Sequence, residues 1–105
     1  MGKMQRRKGH NYERQIARKL RTLFPDSLRE LEYQQARGVD VVAGSLRIQC
    51  KRGKGYAPIN KIFEVQAKDG IPLLITKGDR MRDMVVLSLE DFMAIIEDVG
   101  IVYDD

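Results

Sequence analysis

Two carboxylates, Glu13 and Asp40, one amide, Gln49, and one ammonium, Lys51, are the residues of this sequence whose types and spacing suit them to act at one point. A hard divalent cation such as Mg²⁺ or Mn²⁺ takes oxygen ligands in near-octahedral geometry and keeps several waters and a substrate phosphate in its shell. Asp40 supplies one such oxygen, the side-chain carbonyl of Gln49 a second and the backbone carbonyl of Cys50 a third. Glu13 is placed to hold a metal-bound water or the ion itself. Lys51 then sits beside the attacking water, where its ammonium stabilises the forming hydroxide and the charge that develops on phosphoryl oxygens. The chain has one cysteine and one histidine, so it has neither an internal disulfide nor the ligands for a Cys/His zinc centre.

These side chains meet only if the elements carrying them do. Tyr12, Ile16, Leu20, Leu23 and Phe24 recur at helical spacing and predict a helix from about Asn11 to Phe24, stopped by Pro25 and Asp26. Arg14, Arg18 and Arg21 fall on its opposite face, and Glu13 falls inside the apolar stripe, an unfavourable place for a carboxylate unless a neighbouring cleft needs its charge. Strands are expected over Leu28 to Tyr33, Val39 to Ala43 and Leu46 to Lys51, the last two joined by a tight Gly44-Ser45 turn. That hairpin brings Asp40 near the register of Gln49, about 5 Å away across the strands. Alternation puts Gln49 and Lys51 on one face and Ile48 and Cys50 on the other, which makes Cys50 a small buried hydrophobe. Beyond a basic glycine loop, Arg52 to Pro58, a second helix is expected from Ile59 to Lys68, stopped by Gly70, with Ile59, Ile62 and Phe63 toward the core. Gln66 shares that face, as an internally satisfied amide or a reach toward the metal. Strands at Pro72 to Thr76 and Met84 to Leu87 follow. A last helix is capped by Ser88, with Leu89, Phe92, Met93 and Ile96 as its apolar face. The expected order is αβββαββα, an α/β fold whose central mixed sheet is flanked by helices.

At 105 residues the chain suits a single domain, 1–105, with one modest core. It contains no apolar run of membrane-spanning length, and its basic start lacks the apolar region of a secretory signal; a cytoplasmic protein is expected. The net charge of +4 is unevenly spread: residues 1–24 hold eight basic residues against one acid, and from Glu90 onward there are six acids and no lysine or arginine. A basic beginning suits a polyanion, because phosphate contacts release condensed counterions. The expected DNA-contacting set is Lys3, Arg6, Arg7 and Lys8 in an N-terminal arm (1–9), Arg14 on the first helix, and Arg52, Lys54, Tyr56 and Lys61 around the glycine loop. The acidic tail, 98–105, would keep DNA off its own side.

A helix bearing Glu13, the step Gly38-Val39-Asp40, a tight turn and the run Ile48-Gln49-Cys50-Lys51 together resemble the PD-(D/E)XK nuclease superfamily. Within it, the beginning of the chain, with Gly9, Tyr12, Glu13 and Arg14, is most similar to archaeal-type Holliday junction resolvases and their phage and VRR-NUC relatives. The resemblance covers roughly Gly9 to Leu87. It implies a restriction-endonuclease-like core, and it places metal binding and catalysis on Glu13, Asp40, Gln49 and Lys51. It further implies Mg²⁺ or Mn²⁺ as cofactor, four-way DNA junctions as substrate in recombination and repair, and a homodimer that makes paired cuts. Gln49 departs from the commonest pattern, which has Glu there, although the VRR-NUC branch uses Gln. The lost charge leaves either a single ion or compensation by Glu32 or Glu64.

Plainer readings exist for each residue. Glu13 would complement the helix dipole as a first-turn acid, Asp40 would serve a turn beside Gly38, and Lys51 would be an edge-strand charge. His10 reads as exposed. At the level of the whole chain the alternatives are another repair, flap or restriction-like nuclease of the same superfamily, and a catalytically inactive DNA-binding module.

Overall fold

The computed structural model describes residues 2–25, 28–29 and 38–100, and the side chains of 11–25 and 38–98. Helix α1 (Gly2–Leu20) is followed by strands β1 (Leu28–Arg29), β2 (Val41–Ala43) and β3 (Leu46–Arg52), a 3₁₀ helix (Ile59–Glu64), strands β4 (Ile71–Lys77) and β5 (Met84–Val86), and helix α2 (Leu89–Val99). The five strands form one mixed sheet in the order β1-β2-β3-β4-β5. Only the β3/β4 pair is parallel, with Leu46 to Arg52 in register with Ile71 to Lys77. A parallel neighbour cannot be reached by a tight turn, so the chain between β3 and β4 must cross over a face of the sheet. The 3₁₀ helix lies in that crossover.

The alternation of β3 divides the molecule. Ile48 and Cys50 point to the face covered by α1, where they form the core with Tyr12, Ile16, Ala17, Val41, Ala43, Leu73 and Ile75. Gln49 and Lys51 belong to the other face. Among the described side chains of α1 the buried ones are Tyr12, Glu13, Ile16 and Ala17, an i, i+1, i+4, i+5 stripe that keeps a single face toward the strands.

Several sequence expectations are corrected. The basic segment expected as an arm belongs, from Gly2, to α1. Gln5, Arg6, Arg7 and Lys8 are good helix formers, and Gly9 costs only about 1 kcal/mol, too little to break the helix. The helix stops at Leu20 rather than Phe24, and the next turn is closed by Phe24 N–H donating to Leu20 O at 2.7 Å. Leu23 therefore leaves the apolar phase and is 75% exposed, while Phe24 still packs against the core. The second helix is a six-residue 3₁₀ segment. Pro58 gives it no side-chain cap, and Val65 adopts an extended conformation that ends it and is buried. In consequence Ile59 and Phe63, expected in the core, are 72% and 85% exposed, and Gln66 is an exposed residue beyond the helix. Of the first expected strand the described part is Leu28–Arg29; Glu32 lies outside the described residues. Ser88 caps α2 by accepting Asp91 N–H at 3.1 Å, and Gly100, in the left-handed conformation, closes its far end.

Gly38 holds two parts of the fold together. Its φ is +73°, and a Cβ at this position would collide with the backbone carbonyl of Glu64. Only glycine lets the end of the 3₁₀ helix lie against the chain two residues before Asp40. Gly38→Ala is expected to lower stability by about 1 to 3 kcal/mol, because it combines a left-handed backbone with a backbone collision; urea unfolding measures it, and a loss within error of zero would contradict the close approach.

Candidate active site

Asp40 is set by an irregularity where β2 begins. Val41 is the register partner of Ile48, yet Asp40 N–H also donates to Ile48 O, at 2.7 Å. Two consecutive residues thus oppose one, the signature of a β-bulge, a feature that re-aims side chains. The Asp40 carboxylate turns toward β3, where Oδ2 accepts Cys50 N–H at 2.8 Å. Asp40 therefore clasps the backbone on either side of Gln49, replacing the regular cross-strand position expected from the hairpin. The N–H and C=O of a strand residue lie on the same edge of the strand, so the Cys50 carbonyl faces the same gap as this carboxylate.

Glu13 is 7% exposed on the sheet-facing side of α1, as the apolar phase of its position implies. Cys50, 7% exposed, reports its surroundings: burial pushes its thiol pKa up, and the nearby carboxylates of Asp40, Glu13 and Asp83 act in the same direction. Glu13 and Asp40 thus lie within electrostatic reach of one strand residue. Gln49 and Lys51 occupy the other face. Gln49 is 5% exposed, and its side-chain carbonyl oxygen, Oε1, is buried without a hydrogen-bond partner. Its neighbour there is Glu64, at the end of the 3₁₀ helix. The hydrogen bond from Lys61 holds the Glu64 carboxyl below its usual pKa, against desolvation, with help from the Lys61 and Lys51 charges.

Two sets of groups therefore flank β3, Glu13 and Asp40 around Cys50 and, opposite them, Gln49, Lys51 and Glu64. The Ile48-to-Cys50 backbone, held by Asp40, joins them. Among the described residues there is no group of three or more His, Cys, Asp or Glu side chains able to hold a metal ion. A cation at this edge of β3 would need the neutral oxygens of Gln49 and Cys50 as well as the carboxylates, and the unpartnered Oε1 fits that requirement.

The expected DNA-contacting residues divide. Arg14 is exposed on α1, and Lys54 and Tyr56 are exposed on the loop, with the Tyr56 hydroxyl donating to Arg82 O at 2.9 Å. Lys61 pairs with Glu64 at 2.9 Å and keeps 43% of its side chain exposed. Arg52 donates to Gly53 O at 2.9 Å and pairs with Asp79 at 3.0 Å, bracing the glycine loop. Lys3, Arg6, Arg7 and Lys8 lie on α1, and their side chains are outside the described residues.

A tether unforeseen from the sequence fixes α1. The Tyr12 hydroxyl donates to Asp83 Oδ1 at 2.8 Å and Lys19 Nζ to Asp83 Oδ2 at 2.7 Å, across 71 and 64 positions of chain. Burial pushes the Tyr12 pKa up and the Asp83 bond adds to it. No local pattern announces such a contact.

No protein-family model, no curated protein and no solved structure matches this chain significantly.

Partial burial works to raise the Asp83 pKa, but the hydrogen bonds from Lys19 and Tyr12 and the charges of Lys19 and Lys77 outweigh it, so the pKa is lowered. A carboxylate lowered in the fold contributes stability above its unfolded value, near ~3.9, and loses it as pH falls through the folded value. Asp83→Asn should therefore be less stable than wild type at pH 7, and the gap should close as pH falls below about 4. Urea titrations across pH 2–7 test this, and a gap independent of pH would remove the ionic part of the tether.

Proposed function

We propose that this chain is a metal-dependent endonuclease of the PD-(D/E)XK kind with a restriction-endonuclease-like core, hydrolysing DNA phosphodiesters at branched sites, with the four-way junction as preferred substrate. The observation that carries the reading is Gln49 Oε1. A buried acceptor without a partner costs about 1 to 3 kcal/mol, and here it lies one residue from the Asp40 clasp on Cys50. A cation ligand would satisfy it.

Asp40, Gln49, the Cys50 carbonyl and Glu13 would hold Mg²⁺ or Mn²⁺, which when bound supplies Lewis acidity to the phosphoryl oxygen and acidity to water. The proton that the attacking water gives up passes to solvent. Lys51 donates to a non-bridging phosphoryl oxygen as water adds to phosphorus and the bond to the leaving oxygen breaks, and that oxygen recovers a proton from solvent. Lys54, Tyr56 and Lys61 grip the flanking backbone phosphates.

One observation favours a second reading, a catalytically inactive DNA-binding module: the described residues lack a three-carboxylate cluster. Lys51→Ala separates the two. The nuclease reading expects cleavage of labelled junctions in Mg²⁺ to fall by at least ~10²-fold with junction binding nearly unchanged. Wild type that binds junctions and never cuts them with any divalent metal would establish the module instead, and equal cutting of linear duplex would discard junction preference.

Paired cuts require paired sites. Met84 and Val85 on the edge strand and Leu89, Phe92 and Met93 on α2 are 48–71% exposed, and large apolar side chains left in solvent suit contact with a second copy of the chain. Phe92→Asp combined with Met93→Glu should convert a dimer to monomer in sedimentation equilibrium; an unchanged mass would place the contact elsewhere.

A further inference from the structure

Strands β3 and β4 run parallel and end side by side, with Arg52 in register with Lys77, so the two loops that leave their carboxyl ends start from the same end of the sheet. Those loops are joined through their backbones. Gly53 N–H donates to Lys77 O at 3.2 Å, Asp79 N–H to Lys54 O at 3.0 Å and the Tyr56 hydroxyl to Arg82 O at 2.9 Å. Gly78 is buried against the first loop, where a Cβ would stand 2.8 Å from Gly55 Cα. A pocket of about 190 Å³ is lined by Lys51, Arg52, Gly53, Gly55 and Ala57. It has room for a phosphate group together with several waters of about 30 Å³ each.

The second loop adds charge to this end of the sheet. Its two acids are engaged elsewhere, Asp79 with Arg52 at 3.0 Å and Asp83 with Lys19 and Tyr12. Arg80 and Arg82 are exposed, and so is Lys54, whose carbonyl is bonded to Asp79; among the described residues no carboxylate lies within ion-pair distance of these three. Alone among the described non-glycine residues, Arg80 has a positive φ, +61°. That is the left-handed region, which glycine enters freely and a residue with a Cβ resists. An arginine standing where glycine fits better points to a use for its guanidinium.

We propose that the two loops form one surface for the nucleic-acid backbone, in which Arg80, Arg82 and Lys54 take the phosphates flanking one held at the pocket. Neither arginine belongs to the set of phosphate contacts expected from the sequence. The inference rests on the nuclease reading only for the class of ligand, DNA, and needs neither a cation nor cutting. Cations set on two cross-braced loops around such a pocket suit a polymer that carries a charge at every step. Contacts to phosphate add affinity without reading bases, so the surface serves every DNA sequence alike.

The test is binding of a fluorescein-labelled four-way junction, and of linear duplex, followed by anisotropy in EDTA over a range of salt concentrations. Arg80→Gly is the most telling variant, because glycine suits the backbone there: its urea midpoint should equal or exceed that of wild type while its affinity for DNA falls. Arg80→Gly combined with Arg82→Ala should lower the slope of log K against log salt by about 1.8, since each lost phosphate contact removes roughly 0.9, and should weaken binding of different DNA sequences equally. Lys68→Ala, which removes an exposed lysine ahead of the opposite, amino end of β4, should change neither affinity nor slope. A double variant with wild-type affinity and slope overturns the proposal alone. An equal loss in Lys68→Ala also overturns it, because the effect would then be one of net charge. Wild type that binds phosphatidylserine vesicles and no DNA overturns it together with the DNA reading. The predicted loss of slope in a chain that never cuts DNA supports the surface while removing the nuclease reading.

Discussion

The rest of the site depends on a carboxylate standing in for a strand. Where β2 begins, Asp40 bulges, and its side chain takes over the acceptor role for Cys50 N–H that a regular neighbouring strand would fill. A buried N–H left without an acceptor costs about 1 to 3 kcal/mol, so β2 can part from β3 at this point only because the substitution is made. The parting opens an edge of β3 in the middle of an otherwise paired sheet. The Cys50 backbone, the anchored Asp40 carboxylate and the side chains of Gln49 and Lys51 thus share one stretch of chain, with the last two on the sheet face opposite Cys50.

Two distant contacts hold the walls of that opening. On the α1 side, Tyr12 is buried with its hydroxyl bonded to Asp83, and Glu13 follows it in the chain, so the rotation of the helix about its axis is set one residue from the acid. Rotating α1 to expose Glu13 would withdraw Tyr12 from the core and strand the Asp83 bond. A buried carboxylate is costly, and an apolar packing residue bonded to a fixed partner is what keeps it in place. On the other side, Gly38 lets the 3₁₀ helix approach the backbone closely and Val65 plugs it into the core. The helix is short because Val65 is drawn inward. The same short helix leaves Phe63 outside.

What was legible in the sequence follows from how local each cause is. The strand alternation at Ile48 to Lys51, the burial of Glu13 and Cys50 and the Ser88 cap depend on period or on neighbours within four residues, and they are readable as such. The bulge at Asp40 adds one residue to one strand, which periodicity does not mark beforehand. The 3₁₀ helix carries an α-like apolar spacing, but spacing does not say that Val65 has a better place in the core. The pairing of Arg52 with Asp79, 27 positions further along, likewise has no local sign. The Tyr12–Asp83 bond has no local cause at all.

In the proposed nuclease, an amide at position 49 would also bear on how DNA and a cation share one small volume. Two like unit charges about 5 Å apart repel by about 3 kcal/mol at an effective dielectric of 20. A carboxylate at 49 would impose that cost on an arriving phosphodiester and on Glu64 at once. With Gln49 the oxygen is kept and the charge is not, while Lys51 and Lys61 hold the Glu64 carboxylate ionised and partly neutralised on the exposed side. In the proposed nuclease the weaker pull on the cation is offset by a smaller repulsion toward its substrate. In that reading the cation would be best held with the phosphate present to complete its shell, and metal and DNA binding would reinforce each other.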